Sequence, residues 1–304
     1  LQTNITAGDT AARAGRKNWI INGDFQISQR GAFSSATSIT ASPVYYLDRF
    51  RCKHNNISGT VVRQTNQTVN GKVTTTMSLT ATAGSNGRVE AVQMIEDEVF
   101  NGQTVTISAW VISNSASARL IIHQNGANIQ TSSNAHTGGG AYELLQATVT
   151  CASNAGQLHI YTGIQAAGTG NVAIANGDYF KMAFLQLELG SVATDFEHRS
   201  YGEILADCQR YYQKTDTFEH FNLTRYKGNS GNAYNSFKLA CTMRSTPTFS
   251  QGGTWTASSN AGYAGTPVVS DISKDSVTIR SDNTMGANEC VYLSSGYLMF
   301  DAEL

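Results

Sequence analysis

A chain of 304 residues with a formal net charge of −1, 14% charged residues, 28 glycines and 3 prolines is long enough for two domains, each with its own core. The charged fraction lies well below the roughly 25% of an ordinary soluble domain, and Lys and Arg are nowhere clustered, which argues against a nucleic-acid partner. No apolar run reaches the roughly 18 residues of a membrane span and no basic-then-apolar leader is found, so membrane insertion is not expected. The five cysteines (Cys52, Cys151, Cys208, Cys241 and Cys290) are odd in number, widely scattered and free of C-x-x-C or His/Cys spacing. They are expected to be buried free thiols of a protein folded in a reducing cytoplasm, with no metal and no cofactor.

In chain order, residues 1–17 are polar, rich in small residues and without an apolar period, and are expected to be a linker. From Asn18 onward strand follows strand. Asn70-Gly71, Asn101-Gly102, Asn125-Gly126 and Asn176-Gly177 are hairpin signals. Lys72–Ala81 alternates Val73, Thr75, Met77 and Leu79 against Lys72, Thr74, Thr76 and Ser78. Thr104–Ile112 alternates Val105, Ile107, Ala109 and Val111 against Thr104, Thr106, Ser108 and Trp110. Repeated alternation of this kind predicts an antiparallel β-sandwich. Tyr179–Leu189 is also a strand, with Phe180, Met182 and Phe184 on one parity and Leu185, Leu187 and Leu189 on the other. Two apolar faces are therefore expected of it.

Ser200–Lys214 then reads as an amphipathic helix with a capping box at Ser200 and Glu203, burying Ile204, Leu205, Cys208, Tyr211 and Tyr212. Beyond it, Ser236–Thr242, Ser276–Arg280 and Glu289–Leu304 are the clearest strands of a smaller β-domain. Ser250–Thr266, rich in small residues, reads as a loop. The expected organisation is an all-β chain: a linker at 1–17, a sandwich at 18–199, a short linking helix at 200–214 and a smaller β-sandwich at 215–304.

Alternation also selects candidate binding residues. Trp110 lies on the non-core parity of its strand, Arg119 and His123 on that of Ala118–Asn125, and His159 and Tyr161 on that of Gln157–Ile164. Flat rings beside fixed hydrogen-bonding groups suit a sugar, whose C–H groups cover a ring while its hydroxyls meet imidazole and guanidinium. Packing of the same rings against a loop, the helix or another subunit is the alternative. Trp255 and Tyr263, in the late glycine-rich stretch, are a second candidate pair. Catalysis is not expected. Glu96, Asp97 and Glu98 are adjacent and cannot flank a glycosidic bond. Glu188, Asp195 and Glu197 are explained by salt bridges to Arg199 or Arg210. There is no H-E-x-x-H, G-x-S-x-G, P-loop or dinucleotide fingerprint.

Several stretches resemble the distal part of bacteriophage tail fibre and receptor-binding proteins: NWIINGDFQISQRG (18–31), YYLDRF (45–50), LQLELG (185–190), FEHRSYGEILADCQRYYQK (196–214) and MRSTPTF (243–249). NGDF and TVTISAWVIS (104–113) also look like jelly-roll carbohydrate-binding modules. Such modules commonly carry a glutamate that helps hold a structural calcium at the position of Gln26. The resemblance implies a jelly roll at 18–199 and an upstream fibre shaft or baseplate. It further implies a homotrimer within the virion tail fibre, assembled in the host cytoplasm, that recognises a bacterial surface polysaccharide or lipopolysaccharide. A purely structural fibre domain, and the binding part of a capsule depolymerase, are the alternatives.

Overall fold

The computed structural model describes residues 16–96, 100–217, 221–224, 232–259, 266–281 and 290–303. They fall into two compact units that divide between Ser200 and Tyr201. The strands of the first are β1 (Thr37–Ile39), β2 (Val44–Leu47), β3 (Phe50–Asn55), β4 (Gly59–Val69), β5 (Lys72–Ala81), β6 (Ser85–Ile95), β7 (Thr104–Ser113), β8 (Ala118–Gln124), β9 (Ile129–Ser132), β10 (Tyr142–Thr150), β11 (Leu158–Ile164), β12 (Val172–Ile174) and β13 (Tyr179–Leu189). One antiparallel sheet has the order β1-β4-β5-β13-β7-β10. The other is β2-β3-β6-β11-β8-β9, with β12 added beside β6. Successive strands change sheet at β1/β2, β3/β4, β5/β6, β6/β7, β7/β8, β9/β10, β10/β11 and β12/β13, which makes the sandwich a jelly roll. Met77, Leu79, Ile107, Leu120, Ile160 and Leu187 are all at or below 1% exposed between the sheets. Each such side chain contributes roughly 1.5–3 kcal/mol of transfer free energy.

Two of the four Asn-Gly steps make hairpins. Asn70 and Gly71, both at positive φ, join β4 to β5, and Asn125-Gly126 begins the four-residue link from β8 to β9. The other two lie where the chain crosses between sheets. An Asn-Gly step favours a tight reversal, but burial of the following strand decides its partner. Val73 is 71% exposed although it shares the parity of Met77 and Leu79, because that end of the β4–β5 hairpin lies outside the buried part of the strand.

β13 corrects the expectation of two apolar faces. Its pairing with β7 shifts between Ala183 and Gln186, and Phe184 has φ +56°. At this β-bulge Ala183 and Phe184 both join an outer cluster, while Phe180, Met182, Leu185 and Leu187 all enter the core. The parity change in the sequence is one extra residue, and a single core face runs through it.

The segment before β1 closes the sandwich against this bulge. Leu185 donates its N–H to the Gly23 carbonyl at 2.9 Å. The Asn18 side chain donates to the Leu185 carbonyl and accepts from the N–H of Leu187. Asn22, 2% exposed, donates to the carbonyls of Ile27 and Asp48, and the Asp48 carboxylate accepts from Gln29. Gln26 donates its amide to the Asp24 carboxylate, whose pKa is pushed up by burial. Among the described residues no three His, Cys, Asp or Glu side chains are grouped to hold a metal.

The second unit contains the helix α1 (Tyr201–Gln209) and β14 (Tyr212–Lys214), β15 (Phe221–Thr224), β16 (Tyr234–Lys238), β17 (Thr248–Ser259), β18 (Pro267–Ile272), β19 (Ser276–Ser281) and β20 (Cys290–Asp301). They pair antiparallel in the order β14-β20-β15-β16-β19-β18, with β17 also on β20. Leu223, Ile279, Leu293, Leu298 and Phe300 form its core. The helix is shorter than its amphipathic pattern. Tyr211 and Tyr212 are buried as that pattern requires, but β14 places Tyr212 opposite Asp301 and Lys214 opposite Met299. The Gln213 amide donates back to the Gln209 carbonyl at the helix end. Ladder bonds to β20 outcompete one more helical turn. The stretch expected to be a loop from Ser250 is instead part of β17, bulged between Gly253 and Thr256 and paired with β20 as far as Ser259. Gly and Ser obscure its alternation.

Candidate functional site

The outer face of β3-β6-β11-β8 collects the largest set of chemically able side chains. Core alternation turns Arg51 and Lys53 outward on β3, and Arg88, Glu90, Val92 and Met94 outward on β6. It does the same for His159 and Tyr161 on β11 and for Arg119, Ile121 and His123 on β8. Register aligns them in rows: Arg51, Val92, Tyr161, Ile121; then Met94, His159, His123; then Lys53, Glu90, Gly163, Arg119. Four of the sequence candidates, Arg119, His123, His159 and Tyr161, therefore share one face. The imidazoles of His123 and His159 meet edge-on at 5.6 Å between centroids, and Tyr161 lies 6.1 and 6.4 Å from them. At Gly163 the third row carries no side chain, and the backbone of Val89 and Glu90 packs against it.

The charge on this face is mostly positive. The Glu90 carboxylate is fully buried and already paired, 3.0 Å from Lys53 Nζ and 3.3 Å from Arg88 Nε. Lys53 Nζ also stands 6.0 Å from the centre of the Tyr161 ring. Burial, then His123 and Arg51, hold the His159 pKa down to about 4, while burial and Glu90 push the Tyr161 phenol up. Arg51 Nε, His123 Nδ1 and His159 Nε2 are screened from water and have no hydrogen-bond partner among the described residues.

The depressed His159 pKa links stability to pH. The unfolded chain protonates this imidazole near 6.5 but the folded one only near 4, so its contribution is full above pH 6.5 and is lost as pH falls to 4. For a half-buried group the loss is on the order of 1 kcal/mol after solvent screening. Subtracting the denaturation curves of a His159→Gln variant from those of the parent isolates it. A difference that stays flat across the window would refute the assignment.

Trp110 does not join this face. β7 belongs to the other sheet, so Trp110 points away from the opposite side of the sandwich. There it is flanked by Leu144 and Ala183 and lines a pocket of ≈ 130 Å³ with Phe184, Phe196, His198, Lys72 and Asp195. Phe184, Phe196 and His198 meet tilted or edge-on, with centroids 5.1–5.5 Å apart. The pocket exists because residues 190–199 are held over the sheet. Glu188, 2% exposed, accepts from the Thr194 N–H at 2.8 Å and from its hydroxyl at 2.7 Å. Gln186 accepts from the Glu197 N–H at 2.9 Å, and Glu197 accepts from the backbone N–H groups of Lys17 and Asn18. In the stretches that resemble tail fibres, Gln186, Glu188 and Glu197 are thus acceptors for backbone groups.

Trp255, on β17, packs partly buried against the core of the second unit. Its ring lies so close to Gly296 that a Cβ there would come within 2.1 Å of it. Tyr263 lies outside the described residues. The sequence reading missed Arg51, Lys53, Arg88 and Glu90, although FRCKHN and GRVEAVQMI carry the alternation that turns them outward.

No family model matches the chain, and no curated protein does. Similar solved structures include the enzymatically active domain of tailspike protein 4 of bacteriophage CBA120, at 13% identity and TM-score 0.37, covering 57% of this chain and 21% of that one. The carbohydrate-binding module TmCBM61 in complex with β-1,4-galactotriose is 12% identical at TM-score 0.30, over 57% of this chain and 99% of that one. The xylan-binding module CBM22-1 of Paenibacillus barcinonensis Xyn10C is 13% identical at TM-score 0.31, over 54% and 99%. The matched part is about a fifth of the tailspike chain.

Proposed function

We propose that this chain is the distal, receptor-binding part of a bacteriophage tail fibre, which attaches the virion to a bacterium by holding surface polysaccharide or lipopolysaccharide. The observation that carries this reading is the set of three rings and one guanidinium, His123, His159, Tyr161 and Arg119, on adjacent strands of one solvent-facing sheet. The tail-fibre stretches named above support the fibre assignment. With it go a homotrimeric state, an upstream shaft or baseplate, a place in the virion after assembly in the host cytoplasm, and a non-catalytic role. Each site is weak in this reading, and several copies per fibre supply the adhesion.

A ring stacked on a sugar contributes about 1 kcal/mol, so Tyr161→Ala should weaken attachment of the purified chain to host cells about fivefold per site. Trp110→Ala, on the opposite sheet, is the paired comparison. Retention on cells, and on cells stripped of surface glycan, is the readout, with circular dichroism checking the fold. Full retention of Tyr161→Ala would remove this face from the proposal, and a loss confined to Trp110→Ala would move the site to the pocket. A second reading, a structural fibre domain without a ligand, is favoured by the backbone-clamping roles of Asn18, Gln186, Glu188 and Glu197. Equal retention of the parent on intact and stripped cells would select it. Sedimentation of the purified chain tests the trimer.

A further inference from the structure

The positive charge of the β3-β6-β11-β8 face is not explained by the fold. The whole chain carries a net charge of −1, yet the three aligned rows of this face present Arg51, Lys53 and Arg119, with Arg88 beyond Glu90 on β6, and, among the described residues in those rows, one carboxylate. That carboxylate, Glu90, lies fully buried between Lys53 and Arg88 and is spent on them. Arg51 and Arg119 stand at the two sides of the ring cluster, Arg51 in the Tyr161 row on β3 and Arg119 in the Gly163 row on β8. Between them lie Tyr161 and Gly163, and the two imidazoles lie one row beyond, on the side away from Arg119. Arg51 Nε has no acceptor among the described residues. A donor left unpaired out of water costs on the order of 1–3 kcal/mol, so this guanidinium holds donor capacity that an external acceptor would satisfy. Like charges gathered over low-dielectric walls also focus a field that draws anions.

We infer that the sugar held here is acidic: the face takes a carboxylate- or phosphate-bearing glycan whose anionic group lies between Arg51 and Arg119, with His123, His159 and Tyr161 against the sugar ring. This rests on the glycan-binding reading of the same face and gives it a substrate class. A planar guanidinium meets a carboxylate or phosphate through two parallel hydrogen bonds, which a neutral hydroxyl cannot match. The His159 pKa is lowered first by burial and then by His123, beside it on β8, and Arg51, one row along on β3.

The test is an NMR titration of the whole chain, observing the histidine side-chain nitrogens, with three probes: D-glucuronate, glucose 6-phosphate and D-glucose. At least one anionic sugar should bind about tenfold or more tightly than glucose, the value of one charge-assisted contact. Added salt should weaken it, and the His159 pKa should rise because the anion favours the imidazolium. Glucuronate and glucose 6-phosphate separate the carboxylate from the phosphate source. An Arg51→Gln, Arg119→Gln double variant should abolish the preference while its melting curve reports intact folding. If glucose shifts the same signals as strongly, without salt dependence, the acidic class is wrong and the glycan reading stands. If all three probes leave His123, His159 and Tyr161 unmoved, the face holds no sugar and both fall.

Discussion

Gly23→Ala should destabilise the first unit by about 3 kcal/mol, near the upper end for a forced contact in a packed interior. A Cβ at this position would sit 2.1 Å from the Leu185 carbonyl oxygen and 3.2 Å from its carbon. That carbonyl cannot give way cheaply. It accepts from the Asn18 side chain at 3.1 Å, and the N–H of the same residue donates to Gly23 itself at 2.9 Å. The added methyl must separate the closing segment from β13, which also draws Ile20 and Phe25 out of the core. Denaturant unfolding gives the cost directly. A midpoint within error of the parent would mean that the segment does not dock on the bulge.

Glu188→Ala should cost nearly as much, about 3 kcal/mol, because three donors lose their acceptor in a buried setting. They are the Thr194 N–H, the Thr194 hydroxyl and the Gln186 amide, the last at 3.1 Å. Its second effect is local. With Thr194 released, the wall of the Trp110 pocket loses its anchor, so indole emission should shift toward that of an exposed tryptophan before global unfolding. Glu188→Gln keeps one acceptor oxygen and should fall between alanine and the parent. Unchanged emission in a destabilised alanine variant would show that the 190–199 segment is held by its other contacts.

These two residues show what kind of information the sequence carries. The faces of β7, β8 and β11 were legible because each strand has aliphatic core positions opposed by polar or aromatic ones, and a one-residue slip would bury the wrong set. Partner choice was not legible. Alternation says which way Trp110 and His159 point relative to their own strands, and nothing about β7 and β11 lying in different sheets. Four of the candidates therefore share one face, and Trp110 lies on the other sheet. β17 was hidden for another reason: Gly252, Gly253 and its serines give no apolar period, and its strand conformation comes from the long edge of β20. Arg51 and Lys53 were as legible as the rings, since they alternate with the core residues Phe50 and Cys52.

The bulge at Ala183 and Phe184 also governs how β13 can gain or lose residues. The strand is written in two phases, with Phe180 and Met182 inward before the bulge and Leu185 and Leu187 inward after it. Deleting Phe184 removes the extra residue and leaves Phe180, Met182, Leu185 and Leu187 on one parity of an unbulged strand, so the core face survives while the outer cluster loses its ring. Deleting Gln186 instead would turn Leu187 toward the outer face and Glu188 into the core. A scan of single deletions across residues 179–189, scored by soluble yield, should show tolerance at the bulge and failure on either side of it.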